Sequence, residues 1–295
     1  MLGTVNCMEM EDLIKKFEAG ILPREAWTHA AHLRVALWYN HQSDYAAACQ
    51  HVREKIIRFN TVVGIINSGE SGYHETLTRF WMVLARQFLA LHPGKSLNEV
   101  IELWEQSASS GKEYPLHYYS RERLFSALAR QQWLEPDSRP LEAKWQEMAW
   151  MDERPVHHLQ LSDVRFGEAF RTCTLDPVLF THEAHLRLAW IYIRQYGLEE
   201  GMDKIRRHLQ HFVAMVDEED KYHETLTVAA IHIVHHFMQR YPVPYFEAFM
   251  QVAPVLQQDF RGLVARHYHA QILASETARK QFIKPDLRPF DTLSG

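Results

Sequence analysis

Tyr73-His-Glu-Thr-Leu-Thr78 recurs letter for letter as Tyr222-His-Glu-Thr-Leu-Thr227, and the rest of the chain is read outward from this repeat. Upstream, Trp27-Thr-His-Ala-Ala-His-Leu-Arg34 matches Phe180-Thr-His-Glu-Ala-His-Leu-Arg187, 153 positions later, and Phe17 and Leu22 match Phe170 and Leu175 at the same spacing. At the Tyr-His-Glu-Thr blocks the spacing falls to 149, because the loop Gly64-Ile-Ile-Asn-Ser-Gly-Glu-Ser-Gly72 is replaced by the shorter, acidic Asp217-Glu-Glu-Asp220. The shorter spacing then holds through Tyr119/Tyr268, Arg130/Arg279 and Pro136-Asp-Ser-Arg-Pro140/Pro285-Asp-Leu-Arg-Pro289. A period this long is too great for a solenoid and fits two tandem domains. The expected layout is a first copy over 1–142, a linker over 143–165 and a second copy over 166–295.

Helical signals run nearly throughout. Gly20 stops a helix over Met10–Ala19, and Thr28 and Thr181 stand where N-caps belong, opening helices of about 29–40 and 182–195. Ser43 is expected to cap a third segment to about Phe59, and Ser96 one over 97–108. Apolar periodicity predicts long helices over Tyr73–Leu91 and from Tyr222 to about Arg240, each stopped by a proline. A last helix per copy is expected at about 117–132 and 265–282. Strand-like alternation is missing. The fold class is therefore all-α: two homologous helical-bundle domains forming an internal pseudo-dimer.

Net charge is −5 with histidine neutral, and Lys/Arg are not clustered, which argues against nucleic acid as the main ligand. Cys7, Cys49 and Cys173 show no CxxC spacing and imply neither a disulfide frame nor a thiolate metal site. No apolar stretch reaches the roughly 18 residues of a membrane span, and no signal-type segment opens the chain, so a cytoplasmic protein with a small-molecule partner is expected.

Histidine is abundant, at 19 residues, yet only His29, His32 and His74 of the first copy meet histidines in the second: His182, His185 and His223. His29 and His32 are three apart on a helix and share a face, as do His182 and His185. Two such imidazoles can reach one divalent ion (Fe, Mn or Zn), with His74 or His223 as third ligand from another helix. Three arrangements follow: three histidines and an open position, suited to catalytic zinc; two histidines and Glu75, suited to non-haem iron or manganese; or three histidines with Glu75 orienting them. Glu75 and Glu224 would serve as ligand or general base, with Tyr119 donating a hydrogen bond. Tyr73 and Arg121 would hold substrate, Arg121 through a carboxylate or phosphate, and the glycine-containing loop could close over it. The expected function is a metal-dependent enzyme, hydrolytic or oxygen-using. The competing expectation is a non-catalytic metal- or ligand-binding, sensing or scaffold module whose Tyr-His-Glu-Thr blocks are buried polar networks fixing helix register. Arg34 and Arg187 are expected to pair with Glu75 and Glu224. An Asp–Arg clasp is expected in the Pro-Asp-x-Arg-Pro segments; Pro155-Val-His-His158 could bind a ligand, but adjacent histidines in a linker are more often solvated, and that is the expectation for His157 and His158. The sequence is also expected to place Trp38, Trp81, Trp104 and Trp133 in the core.

The blocks Thr28-His-Ala-Ala-His-Leu33, Gly72-Tyr-His-Glu-Thr-Leu-Thr78, Tyr119-Ser-Arg-Glu-Arg-Leu124 and Pro136-Asp137 resemble those of uncharacterised bacterial single-domain proteins, the first copy more closely than the second. The resemblance implies a tandem fusion of two such domains and carries no activity with it.

Overall fold

The computed structural model describes residues 10–150 and 154–290. Among them it is all-helical, with seventeen α-helices joined by short 3-10 turns and no strand. The chain divides into two compact units, with the division between Arg154 and Pro155.

In unit 1 the helix His29–Gln42 packs against Tyr45–Val62, Glu75–Leu91 and Leu97–Glu105. Leu33, Leu37, Phe59, Phe80, Val100 and Trp104 fill the space between them. Side-chain caps set where these helices start. Thr28 accepts from the Ala31 amide, and Ser96 forms a capping box with Glu99. Asp44, one residue beyond the expected Ser43, caps the third helix by accepting from the Ala47 amide. Of the four tryptophans expected in the core, Trp81, Trp104 and Trp133 are buried and Trp38 is half-buried.

Unit 2 repeats this order. His182–Tyr196 packs against Leu198–Met215 and Glu224–Arg240. Its first two long helices approach more closely than their counterparts: a Cβ added at Gly201 would sit 2.9 Å from the Tyr192 carbonyl oxygen, a contact only glycine permits.

Two boundaries differ from expectation. The last helix of each copy is broken in two, Arg121–Leu124 with Ala127–Gln131, and Ala270–Leu273 with Glu276–Lys280. Ser126 and Ser275 re-cap the chain there, accepting from the Ala129 and Ala278 amides. The stretch expected as a linker has the short helix expected for Trp145, Met148 and Trp150, Ala143–Trp150 (Met151 lies outside the described residues), but the helix belongs to unit 1: it packs on Glu75–Leu91, and Trp150 Nε1 donates to Glu135 Oε1 at 2.9 Å. No helix among the described residues is long and apolar enough to cross a membrane.

Candidate functional site

The repeated Tyr-His-Glu-Thr block works as a joint. His74 is not inside the helix but is its N-cap: Nδ1 accepts from the Leu77 amide at 3.2 Å, and Nε2 donates to the Leu124 carbonyl at 2.9 Å. His223 repeats both bonds with Leu226 and Leu273. Each ring therefore has one nitrogen accepting and one donating, which fixes the neutral Nε2–H tautomer. Thr76 Oγ1 donates to the Gln132 carbonyl at 2.7 Å and accepts from the Leu134 amide at 3.0 Å; Thr225 does the same with Gln281 and Ile283. Tyr119 and Tyr268 are buried and donate their hydroxyls to the carbonyls of Leu134 and Ile283.

Glu75 is fully engaged. Arg53 grips both of its oxygens, Arg79 Nε lies 2.5 Å from Oε1, and the Tyr73 hydroxyl donates to Oε2 at 2.8 Å. Burial alone would push the Glu75 carboxyl up. The hydrogen bonds from Arg53 and the charges of Arg79 and Arg53 outweigh it and hold the carboxyl below its ordinary range. Glu224 is held by Arg206 and the Tyr222 hydroxyl. The carboxylates expected as bases thus carry guanidinium partners, and these partners are Arg53 and Arg206. Arg34 and Arg187, expected in that role, instead pair with Glu105 and Asp163. Nor do Asp137 and Asp286 clasp an arginine: Asp137 accepts from the Ser120 amide and hydroxyl, and Asp286 from the His269 amide and ring.

Beside each joint lies a cavity. The one in unit 1, about 460 Å³, has walls of Val35, Ala36, Val52, Ile56, Leu77 and Trp81, with His29, His32, Tyr73, His74, Lys112 and Arg130 at polar points. The one in unit 2, about 670 Å³, is lined at matching positions by His182, His185, Leu226 and Thr227; Ala230 stands at the position of Trp81, and Phe260 packs on His182 as Trp81 packs on His29, with centroids 5.0 and 4.9 Å apart.

His29 and His32 are presented alike in both units. His32 Nδ1 donates to the Thr28 carbonyl at 2.8 Å, and His185 Nδ1 to Thr181 at 2.7 Å. His29 Nε2 donates to the Ser110 carbonyl at 2.7 Å, and His182 Nε2 to Leu256 at 3.1 Å. Each ring keeps its second nitrogen as an acceptor, with no hydrogen bond to it among the described residues. The His32 and His185 rings lie against Trp27 and Phe180, with centroids 4.1 and 3.9 Å apart.

No family model, curated protein or solved structure matches this chain.

The structure thus brings His29, His32, His74 and Tyr73 to one cavity, and His182, His185, His223 and Tyr222 to the other. It does not make either histidine trio a ligand set. His74 and His223 have no ring nitrogen to give, and the one group of three possible metal-ligating side chains found among the described residues lies elsewhere. Tyr119 is sealed in the joint. Arg121 is exposed, faces Glu113 at 3.8 Å, stacks on Phe125 and lines neither of these two cavities. The glycine-containing loop is pinned: Asn67 accepts from the Tyr73 amide and the Asn60 side chain, and Gly72, at φ +77°, has no room for a Cβ, which would sit 2.6 Å from the Ile66 carbonyl. The cavity walls were not legible from sequence, since a wall leucine and a core leucine obey the same periodicity.

The joint has a pH signature. Burial, with the Arg130 charge, lowers His74 from 6.5 to about 4; burial, with neighbouring His29, lowers His32 likewise. The unfolded chain binds these protons near 6.5 and the folded chain only near 4, so stability is full above 6.5 and is lost as pH falls through that window. His74 accounts for about 1.4 kcal/mol per pH unit, and the half-exposed His32 for less. Urea midpoints measured at several pH values should fall between pH 7 and pH 5; a flat profile would show that these rings titrate normally.

Proposed function

We propose that the chain is a ligand-binding module taking one small, largely apolar molecule per unit, with His29/His32 and His182/His185 as its polar contacts. The observation carrying this reading is the matched presentation of two imidazoles on each cavity wall. Each is oriented by a backbone carbonyl, and each keeps a second nitrogen with no hydrogen bond to it among the described residues. Cavities of this size, apolar with a few fixed polar groups, suit small molecules. The ligand would carry a hydroxyl or N–H to donate to the imidazoles. In unit 1 an acidic group on it would also suit Lys112 and Arg130. The Tyr-His-Glu-Thr blocks hold the cavity walls in register, which is the polar-network role. A metal on His29, His32 and His74 would have to break at least one hydrogen bond of a buried ring, the cap at Nδ1, or both if it bound Nε2, so the metal-dependent enzyme is the weaker reading. The matched caps, joints and cavities also support reading the chain as a tandem duplication.

The test uses 1-anilinonaphthalene-8-sulfonate, an apolar anion, followed by its fluorescence against the folded full chain. Two sites per chain are expected. Ala230→Trp adds an indole to a wall where Phe260 already stands against His182, and should remove or weaken the unit 2 site by about tenfold, a loss of about 1.4 kcal/mol. His32→Ala should weaken the unit 1 site without loss of helicity. Absence of saturable binding, or binding indifferent to both substitutions, overturns the reading.

A further inference from the structure

We propose that unit 2 carries a divalent-metal site, separate from its cavity, formed by His157 Nε2, His158 Nε2 and Glu183. These side chains offer ligand atoms that all lie within 4.8 Å of one another. Glu183 Oε2 is 3.6 Å from His158 Nε2 and 3.8 Å from His157 Nε2. Those separations are too long for hydrogen bonds. They are close to the edge of a tetrahedron whose corners sit about 2.1 Å from a central ion, roughly 3.4 Å.

His158 supplies the independent reason for an ion. It is 0 % exposed, and neither of its ring nitrogens has a hydrogen-bond partner. A buried polar group left in that state is costly and calls for an explanation. An ion at Nε2 provides one for that nitrogen; Nδ1 then carries the ring proton and keeps no partner among the described residues. The His157 and His158 rings stack with centroids 4.5 Å apart and planes 28° from parallel, and both Nε2 atoms face the same carboxylate.

The segment is held in place before any ion arrives. Gln160 Oε1 accepts from the Val156 and His157 amides at 2.7 and 2.9 Å, and Arg187 donates to the His158 and Leu161 carbonyls. Arg187 is itself paired with Asp163, which offsets its charge near the site. The acid is particular to this unit: Glu183 stands where the first repeat has Ala30. Ligation has one local cost. His157 Nδ1 now accepts from the Leu159 amide at 3.2 Å, and binding through Nε2 moves the ring proton to Nδ1 and ends that contact. The His157 side chain is 37 % exposed, so water can take the amide instead. Two imidazoles and one carboxylate suit a borderline ion such as Zn²⁺ over Mg²⁺ or Ca²⁺, and leave a fourth tetrahedral position to another donor.

The experiment is calorimetric titration of Zn²⁺ into tag-free, chelator-treated full-length protein. One Zn²⁺ per chain should bind with a dissociation constant in the micromolar range or tighter, and Co²⁺ should give the visible absorption of a low-coordinate site. Glu183→Ala, which installs the residue of the matching position, and the isosteric Glu183→Gln should each weaken binding by about tenfold or more, and His157→Ala should do the same. Circular dichroism checks that the variants stay folded. No binding at about 100 µM Zn²⁺, or wild-type affinity in folded Glu183→Ala and Glu183→Gln, overturns the site. Neither outcome touches the cavity reading, which is tested without metal.

Discussion

Glu75→Gln is expected to destabilise unit 1 by about 3–5 kcal/mol, the usual cost of removing one partner from a buried ion pair. The reason lies in Arg79, whose side chain is 2 % exposed and cannot return to water once its carboxylate is gone. The matching change in unit 2, Glu224→Gln, should cost less, about 1–3 kcal/mol, the scale of hydrogen bonds to a charged group. There Val228 occupies the place of Arg79, and Arg206 is 37 % exposed and can rehydrate. The two units can be followed separately, because seven of the eight tryptophans (all but Trp190) lie in unit 1, so fluorescence reports unit 1 while circular dichroism reports both. Adding Arg79→Met to Glu75→Gln should recover part of the loss, since an apolar residue of similar length needs no counter-charge. Equal losses from Glu75→Gln and Glu224→Gln, or a loss below about 1 kcal/mol from Glu75→Gln, would mean that the Arg79 pair is not what secures unit 1.

The second large effect is expected at the threonines. Thr76→Val keeps the shape of the side chain and deletes a hydroxyl that serves two backbone groups, the Gln132 carbonyl and the Leu134 amide. With about 1–3 kcal/mol for each buried group left unpaired, the loss should be about 2–4 kcal/mol. Thr225→Val should cost the same, because its bonds to Gln281 and Ile283 match within 0.1 Å. Amide hydrogen exchange gives the sharper reading. The Leu134 amide should lose protection in Thr76→Val, and the Ile283 amide in Thr225→Val. Retained protection at those two amides would show that the hydroxyls are dispensable.

The sequence made the helices legible because their signals are local: Thr28, Thr181 and Ser96 cap where polar side chains usually do. It also showed which letters recur. What it could not show was what those letters touch. His74 and Thr76 bond to carbonyls of Leu124 and Gln132, and any residue supplies a carbonyl, so nothing in the sequence marks the partner. A histidine N-cap is uncommon, and the pairing of His74 with Glu75 resembles a ligand and its base more than a cap and its neighbour. The arginine partners were half legible. Arg53/Arg206 and Arg34/Arg187 recur at one and the same spacing, and only the packing of Tyr45–Val62 beside Glu75–Leu91 selects the first pair. His158 was misjudged for a different reason: burial depends on what the rest of the unit places over a residue, which adjacent histidines do not reveal.

The threonine joint also dictates an order of events. Thr76 waits for a partner 58 positions further along the chain, and Thr225 for one equally distant. During synthesis, then, each unit can collapse around its long helices but cannot fasten this joint until the partner segment has emerged. By the cost of closing so long a loop, that fastening comes late. The repeated hexapeptide is therefore a latch that each unit closes late, on a segment 58 positions downstream.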